Sequence, residues 1–193
     1  MTGTRRGGAD DAHAIAALHA ERIADGFLVT LGPRFLDRLY RRMVRSDHAF
    51  VVVTDDSDGL TGFVGIAKST GHFYRDFMLR DGLMAVASTA PALVRAPRRV
   101  WETLRYGALP DHDLPTAEVL AIAVAARAEG AGLGGELLRA ALAQLRRDDI
   151  DAVRVVTATD NTAALRMYER VGFRPHGRTE VHTGVVQEVL VWR

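Results

Sequence analysis

The chain contains no cysteine, which at once removes disulfides, thiolate metal sites and a cysteine nucleophile. It has one lysine, Lys68, and the rest of its basic charge is arginine, which we read as genomic bias before function. The net charge is only +1, so no global field recruits nucleic acid or a membrane surface. The apolar stretch at 83–94 holds Pro91 and falls short of the roughly 20 residues that cross a bilayer. The first apolar-rich stretch, 12–20, is interrupted by His13 and His19, so no secretory leader is expected and a cytoplasmic location is the default. His176 and His182 fall at strand ends without ligand spacing, so no metal is expected. Internal repeats and low-complexity tracts are also lacking.

What is present is ordinary globular material. With 193 residues, 48% of them apolar, a single domain over 1–193 with one substantial core is expected. The chain is organised around Ala117 to Leu145. Glu118 to Val124 is a near-continuous apolar run, the pattern of a strand covered on both faces. Gly130, Gly132, Gly134 and Gly135 follow, and Leu133, Leu137, Ala141 and Leu145 then recur at four-residue spacing as one helical face. Glycines ahead of a helix let backbone N–H groups approach a ligand, where side chains would obstruct it, at the positive end of the helix dipole. That is an anion site, and a diphosphate suits it. Gly130, Gly132 and Gly135 satisfy the dinucleotide pattern GxGxxG. However, residues 125–129 separate the strand from the first glycine, and too little chain follows for a second dinucleotide-binding half. The triphosphate pattern GxxxxGK[ST] is absent.

The spacing resembles instead the GNAT acetyltransferase superfamily. Val124-Ala-Ala-Arg-Ala-Glu129-Gly130-Ala-Gly132-Leu-Gly134-Gly-Glu-Leu137-Leu138 matches V-x-P-x-x-R-G-x-G-x-G followed by two leucines. Ala126 replaces the usual proline and Glu129 the usual arginine; Arg127, two residues earlier, is the candidate for the missing positive charge. A second segment, from Asp160 and Asn161 through Ala164 and Tyr168 to Gly172 and Phe173, resembles the family's N-x-x-A-x-x-x-Y-x-x-x-G-F. It follows an apolar strand at 152–158 and has its own physical logic. Asp160 or Asn161 can cap a helix, Ala164, Leu165, Tyr168 and Val171 share a face, and Gly172 stops it. The motifs cover Leu114 to the C-terminus, and the N-terminal half fits in outline.

The remaining segments carry weaker signals. Residues 1–8 read as a loose tail. A helix from Asp10 or Asp11 to about Ala24 is followed by a loop with Phe27 and Leu28, and Gly32-Pro33 opens a second helix. Phe50–Thr54 and Leu60–Ser69 read as a hairpin, and 174–181 with 185–192 as a closing hairpin whose second strand lies inside the sheet. Between them, 71–113 is long for a family link, with helical patterning at 74–90 and 98–106. Arg95, Arg98 and Arg99 could hold an acidic acceptor or be a solvated helix end.

The resemblance implies an α/β fold: a mixed, mostly antiparallel central sheet flanked by helices, with a helical insertion at about 71–113. It also implies an N-acetyltransferase using acetyl-CoA as donor, without a metal, on a small-molecule or peptide primary amine. The insertion and closing hairpin are candidate homodimer surfaces. Ile122, Ala123 and Val124 would pair with the pantetheine arm if the sheet splays there. The backbone of Glu129, Gly130, Ala131, Gly132, Leu133, Gly134 and Gly135 would hold the diphosphate. Asn161 and Ala164 would meet the arm, and Tyr168 the sulfur. Glu118, six residues before Val124, is the candidate base; Asp111, His112 and Asp113 are less specific. Phe27, Leu28 and Tyr40 would wall the acceptor pocket. Each has a plainer alternative: Tyr168, Phe27, Leu28 and Tyr40 as core, Asn161 as helix cap, and Glu118 as a strand-end carboxylate. Two other functions compete: a catalytically silent acyl-CoA-binding sensor and an NAD(P)-dependent oxidoreductase.

Overall fold

The computed structural model describes residues 3–24, 27–95, 114–182 and 185–193, with backbone alone for 27, 83–95, 180–182 and 185. The expected helix at 98–106, Arg98, Arg99, Asp111, His112, Asp113 and the Thr183-Gly184 turn lie outside the described residues, as does the side chain of Arg95. The elements are β1 (Thr4–Arg6), α1 (Ala12–Arg22), α2 (Phe27–Thr30), α3 (Pro33–Met43), β2 (Ala49–Asp56), β3 (Gly59–Ala67) and α4 (Thr70–Arg95). Then come β4 (Glu118–Val124), α5 (Leu133–Arg147), β5 (Val153–Ala158), α6 (Thr162–Val171), β6 (Arg174–His182) and β7 (Val185–Trp192).

The strands form one seven-stranded sheet in the order β1-β2-β3-β4-β5-β7-β6. Every pairing is antiparallel except β4 with β5. One face packs against α1 and α3 through Ile15, Leu36, Tyr40, Val53 and Phe63. The other packs against α5 and α6 through Leu137, Leu138, Leu145, Val64 and Tyr168. Each fully buried aliphatic or aromatic side chain contributes roughly 1.5–3 kcal/mol to the fold. As expected, β7 is an inner strand, between β5 and β6.

Two segments differ from the sequence reading. Residues 4–6 are not a loose tail but an edge strand on β2. Arg5 joins Asp11 (2.8 Å) and Asp55 (2.6 Å), and the Gly7 amide donates to the Val51 carbonyl at 2.8 Å. Phe27 and Leu28 lie in a short helix rather than a loop.

The sheet opens at β4. Its pairing with β5 is limited to Glu118 opposite Arg154 and Val119 opposite Val155, while on the other side β3 follows it as far as Val124. A bulge interrupts that ladder: Gly65 faces Ala121 and Ile66 faces Val119, leaving Leu120 as the extra residue. Consecutive residues Leu120 and Ala121 therefore both pack toward the α1–α3 side. Val119, Ile122 and Val124 pack toward α5. The expectation that β4 is covered on both faces fails beyond Val119: Leu120, Ala121, Ile122 and Val124 are only half-buried.

Candidate functional site

The gap left by the parted strands continues into a cleft of about 650 Å³. Ile122, Ala123 and Val124 form one wall, the glycine turn and the start of α5 the floor, and Ala163, Ala164, Met167, Arg170 and Val171 of α6 the opposite wall. Glu129, Gly130, Gly132, Leu133, Gly134 and Gly135 all line it, whereas Ala131, Asn161 and Tyr168 do not.

The turn has the features of an anion cradle. Gly130 and Gly132 have φ of 78° and 79°, a conformation that costs an L-residue roughly 1–2 kcal/mol. A Cβ at either would meet nothing within 4 Å, so their backbone conformation, and not crowding, requires glycine there. At Gly134 the reason is different: a Cβ would stand 2.7 Å from Met167 Sδ, so this glycine lets α5 and α6 approach closely. The amides of Gly130 to Gly134 donate to no backbone carbonyl among the described residues, and no side chain caps α5. They stand at the positive end of a 15-residue helix, where an anion is favoured.

The charges around the cradle depart from the sequence reading. Arg127 does not serve the turn; its guanidinium donates to Asp56 (3.1 Å) and to the carbonyls of Gly59 and Leu60. That hydrogen bond holds the Asp56 carboxyl below its ordinary value. Glu129 is paired instead with Arg22 at the end of α1. Two cations not anticipated from the sequence, Arg139 and Arg170, line the cleft. Helical spacing could have found them, because Arg139 follows Gly135 by one turn and Arg170 shares a face with Ala163 and Met167. For Arg22 the sequence carries no such signal.

The expected chemical residues sit around this cleft in unequal settings. Asn161 is the N-cap of α6, its Oδ1 accepting from the Ala164 amide at 3.2 Å. Tyr168 is 4% exposed and packs on Phe173, and burial pushes its phenol above the ordinary value. Glu118 is not a solvated strand end. Its Oε2 accepts from Arg154 at 2.8 and 3.0 Å and from Thr70 Oγ1 at 3.4 Å, leaving Oε1 without a partner among the described residues. Tyr74 of α4 stands near it, its phenol pushed up by burial and then by the Glu118 charge. Tyr40 is 2% exposed and shares a 2.6 Å hydrogen bond with His19 Nδ1, so in this structure it offers no surface as a pocket wall. Leu28 is half-buried against the α1–α3 core.

A splayed mixed sheet and a glycine cradle at a helix start agree with the match of residues 18–173 to the model of the acetyltransferase (GNAT) family. The chain belongs to the GNAT family. Mycothiol acetyltransferase of Nocardia farcinica is 38% identical over 65 residues, which are 34% of this chain and 22% of that protein. The stretches that match the curated relatives thus span about a fifth of those proteins' length. Among solved structures, the acetyltransferase of GNAT family from Streptococcus pneumoniae superposes with a TM-score of 0.61 at 15% identity, covering 99% of this GNAT chain and 98% of that one. A Bacillus anthracis structure in complex with acetyl coenzyme A gives 0.52 at 13% identity, covering 80% and 67%. Among the described residues, no helix is long and apolar enough to cross a membrane.

Proposed function

We propose that this GNAT protein is an N-acetyltransferase that takes its acetyl group from acetyl-CoA and passes it to a primary amine of a small molecule or peptide. One observation carries this reading: the edge of β4 beyond Val119 and the amides of Gly130, Gly132, Leu133 and Gly134, all without backbone partners among the described residues, line one cleft. An extended amide-bearing arm ending in a diphosphate matches both, the arm as an added strand and the diphosphate in the cradle. Arg139 and Arg170 supply the flanking positive charge. Bound there, acetyl-CoA supplies a thioester carbonyl open to attack by the amine.

The residues divide the remaining work. Attack forms the C–N bond and breaks the C–S bond, so a proton must leave nitrogen and charge must be stabilised on sulfur. Glu118 Oε1, free of Arg154, accepts the proton directly or through a water. Tyr168 donates a hydrogen bond to the departing sulfur. A tyrosine at about 10 already exceeds a thiol at about 8.5, which makes full proton transfer uphill by roughly 2 kcal/mol. Burial raises Tyr168 further, so it serves as a neutral donor first. Asn161, with Oδ1 committed to its own helix, offers its amide N–H groups to the arm. Leu28 of α2 borders the acceptor in this reading, while the side chain of Phe27 lies outside the described residues.

Calorimetric titration with acetyl-CoA, with NADH in parallel, tests the donor. Micromolar binding of acetyl-CoA alone is expected; silence towards it overturns the assignment. A binding module without turnover is the second reading, favoured by the engagement of Glu118 with Arg154. Release of free thiol with a panel of amines separates the two.

A further inference from the structure

Glu129 places a carboxylate in the lining of a cleft whose other charged members are the cations Arg139 and Arg170. Next to a diphosphate, a lone carboxylate would be repulsive. The cation nearest in sequence, Arg127, is engaged with Asp56 and the β2–β3 turn. Relief comes from the other end of the domain: Arg22 donates to Glu129 Oε1 across 107 residues of sequence. Its remaining N–H groups have no partner among the described residues.

We infer that Arg22 is a positioning residue of the donor site, completing the phosphate cradle from α1 by neutralising Glu129. The inference rests on the coenzyme reading of this cleft. Glu129 alone opposes a diphosphate; paired with Arg22, its charge is balanced. The pair lies at the surface, with side chains 30% and 56% exposed, so it contributes little to folding. Its effect falls on anion binding.

Five chains test this by calorimetric titration with acetyl-CoA at low and moderate ionic strength: the parent, Arg22→Gln, Arg22→Lys, Glu129→Gln and the Arg22→Gln, Glu129→Gln double variant. Arg22→Gln is expected to weaken binding roughly tenfold at low salt, as one uncompensated charge near a diphosphate would. In turnover, the loss falls on the KM for acetyl-CoA rather than on kcat. Glu129→Gln in the same chain restores affinity to within about twofold of the parent, and Arg22→Lys retains most of it. Parent-like affinity in Arg22→Gln, or a loss that Glu129→Gln does not relieve, overturns the inference while leaving the donor assignment intact. A parent chain that ignores acetyl-CoA overturns the donor assignment, and the inference with it.

Discussion

Glu118 and Arg154 face each other across the first rung of the β4–β5 ladder and are joined by a 2.8 Å ion pair, immediately before the two strands part. The side chains are 17% and 11% exposed, so removing either leaves the other charge largely out of water. Arg154→Gln should cost about 2 kcal/mol, a fall in melting temperature of roughly 4–8 °C for a domain of this size. Glu118→Gln should show a similar fall and, in addition, lose turnover about a hundredfold if its carboxylate takes the proton. Thermal melts and steady-state rates on both variants separate these effects. Normal turnover in Glu118→Gln places proton removal elsewhere.

Tyr168→Phe removes one oxygen from a buried, otherwise apolar setting. The expected result is a kcat at least tenfold lower with acetyl-CoA affinity nearly unchanged. Parent-like kcat in this variant would remove the hydroxyl from the chemistry.

Gly132 stands at φ 79° with open space around its Cβ position. Gly132→Ala should therefore lose only the strain of roughly 1–2 kcal/mol. Gly132→Glu should lose about as much stability and abolish acetyl-CoA binding, because its charge points at the cradle. Denaturant melts paired with titration read both quantities. Binding that survives in the glutamate variant would move the diphosphate elsewhere.

Arg139 and Arg170 line the cleft. Arg139→Gln and Arg170→Gln should each weaken acetyl-CoA binding several-fold at low ionic strength and flatten its salt dependence, since screening would have less attraction to remove. Titration at several salt concentrations is the check; unchanged salt slopes would place both cations outside the phosphate field.

His19 is buried, and its imidazole is pushed down to about 4 from the ordinary 6.5. The folded chain keeps it neutral while the unfolded chain takes up a proton below about 6.5. Stability present above pH 6.5 is thus lost as pH falls toward 4, by about 3 kcal/mol in full. Unfolding midpoints across that window should drop steeply in the parent and less so in His19→Gln. Parallel profiles would mean another group carries the acid sensitivity.

The sequence was most legible where short-range physics decides. The run 118–124, the glycines after it, the Asn161 cap and the Gly172 stop each depend on neighbours within one turn, and the structure has them in place. The long apolar signal of β4 hid its bulge, because seven apolar or half-buried positions in a row carry no phase. β1 was missed because its order comes from Arg5 reaching Asp55, 50 residues away. Arg22 was missed for the same kind of reason. Arg139 and Arg170 were passed over although helical spacing sets each on the cleft-lining face of its own helix; that the two faces meet at one cleft is a matter of how α5 and α6 pack.

The extra residue at Leu120 makes β4 a strand that counts. Val119 packs toward α5, Leu120 and Ala121 toward α1, and Ile122 toward α5 again, so the bulge resets which parity faces which side. A replacement at position 120 would change only local packing, and deleting it would remove the bulge and restore strict alternation, leaving Ala121 opposite Gly65 and Ala121 to Val124 on the faces they already have. Evolution should therefore accept this strand with or without its residue 120, and reject the loss of a paired residue after it, which would exchange the faces of those that follow.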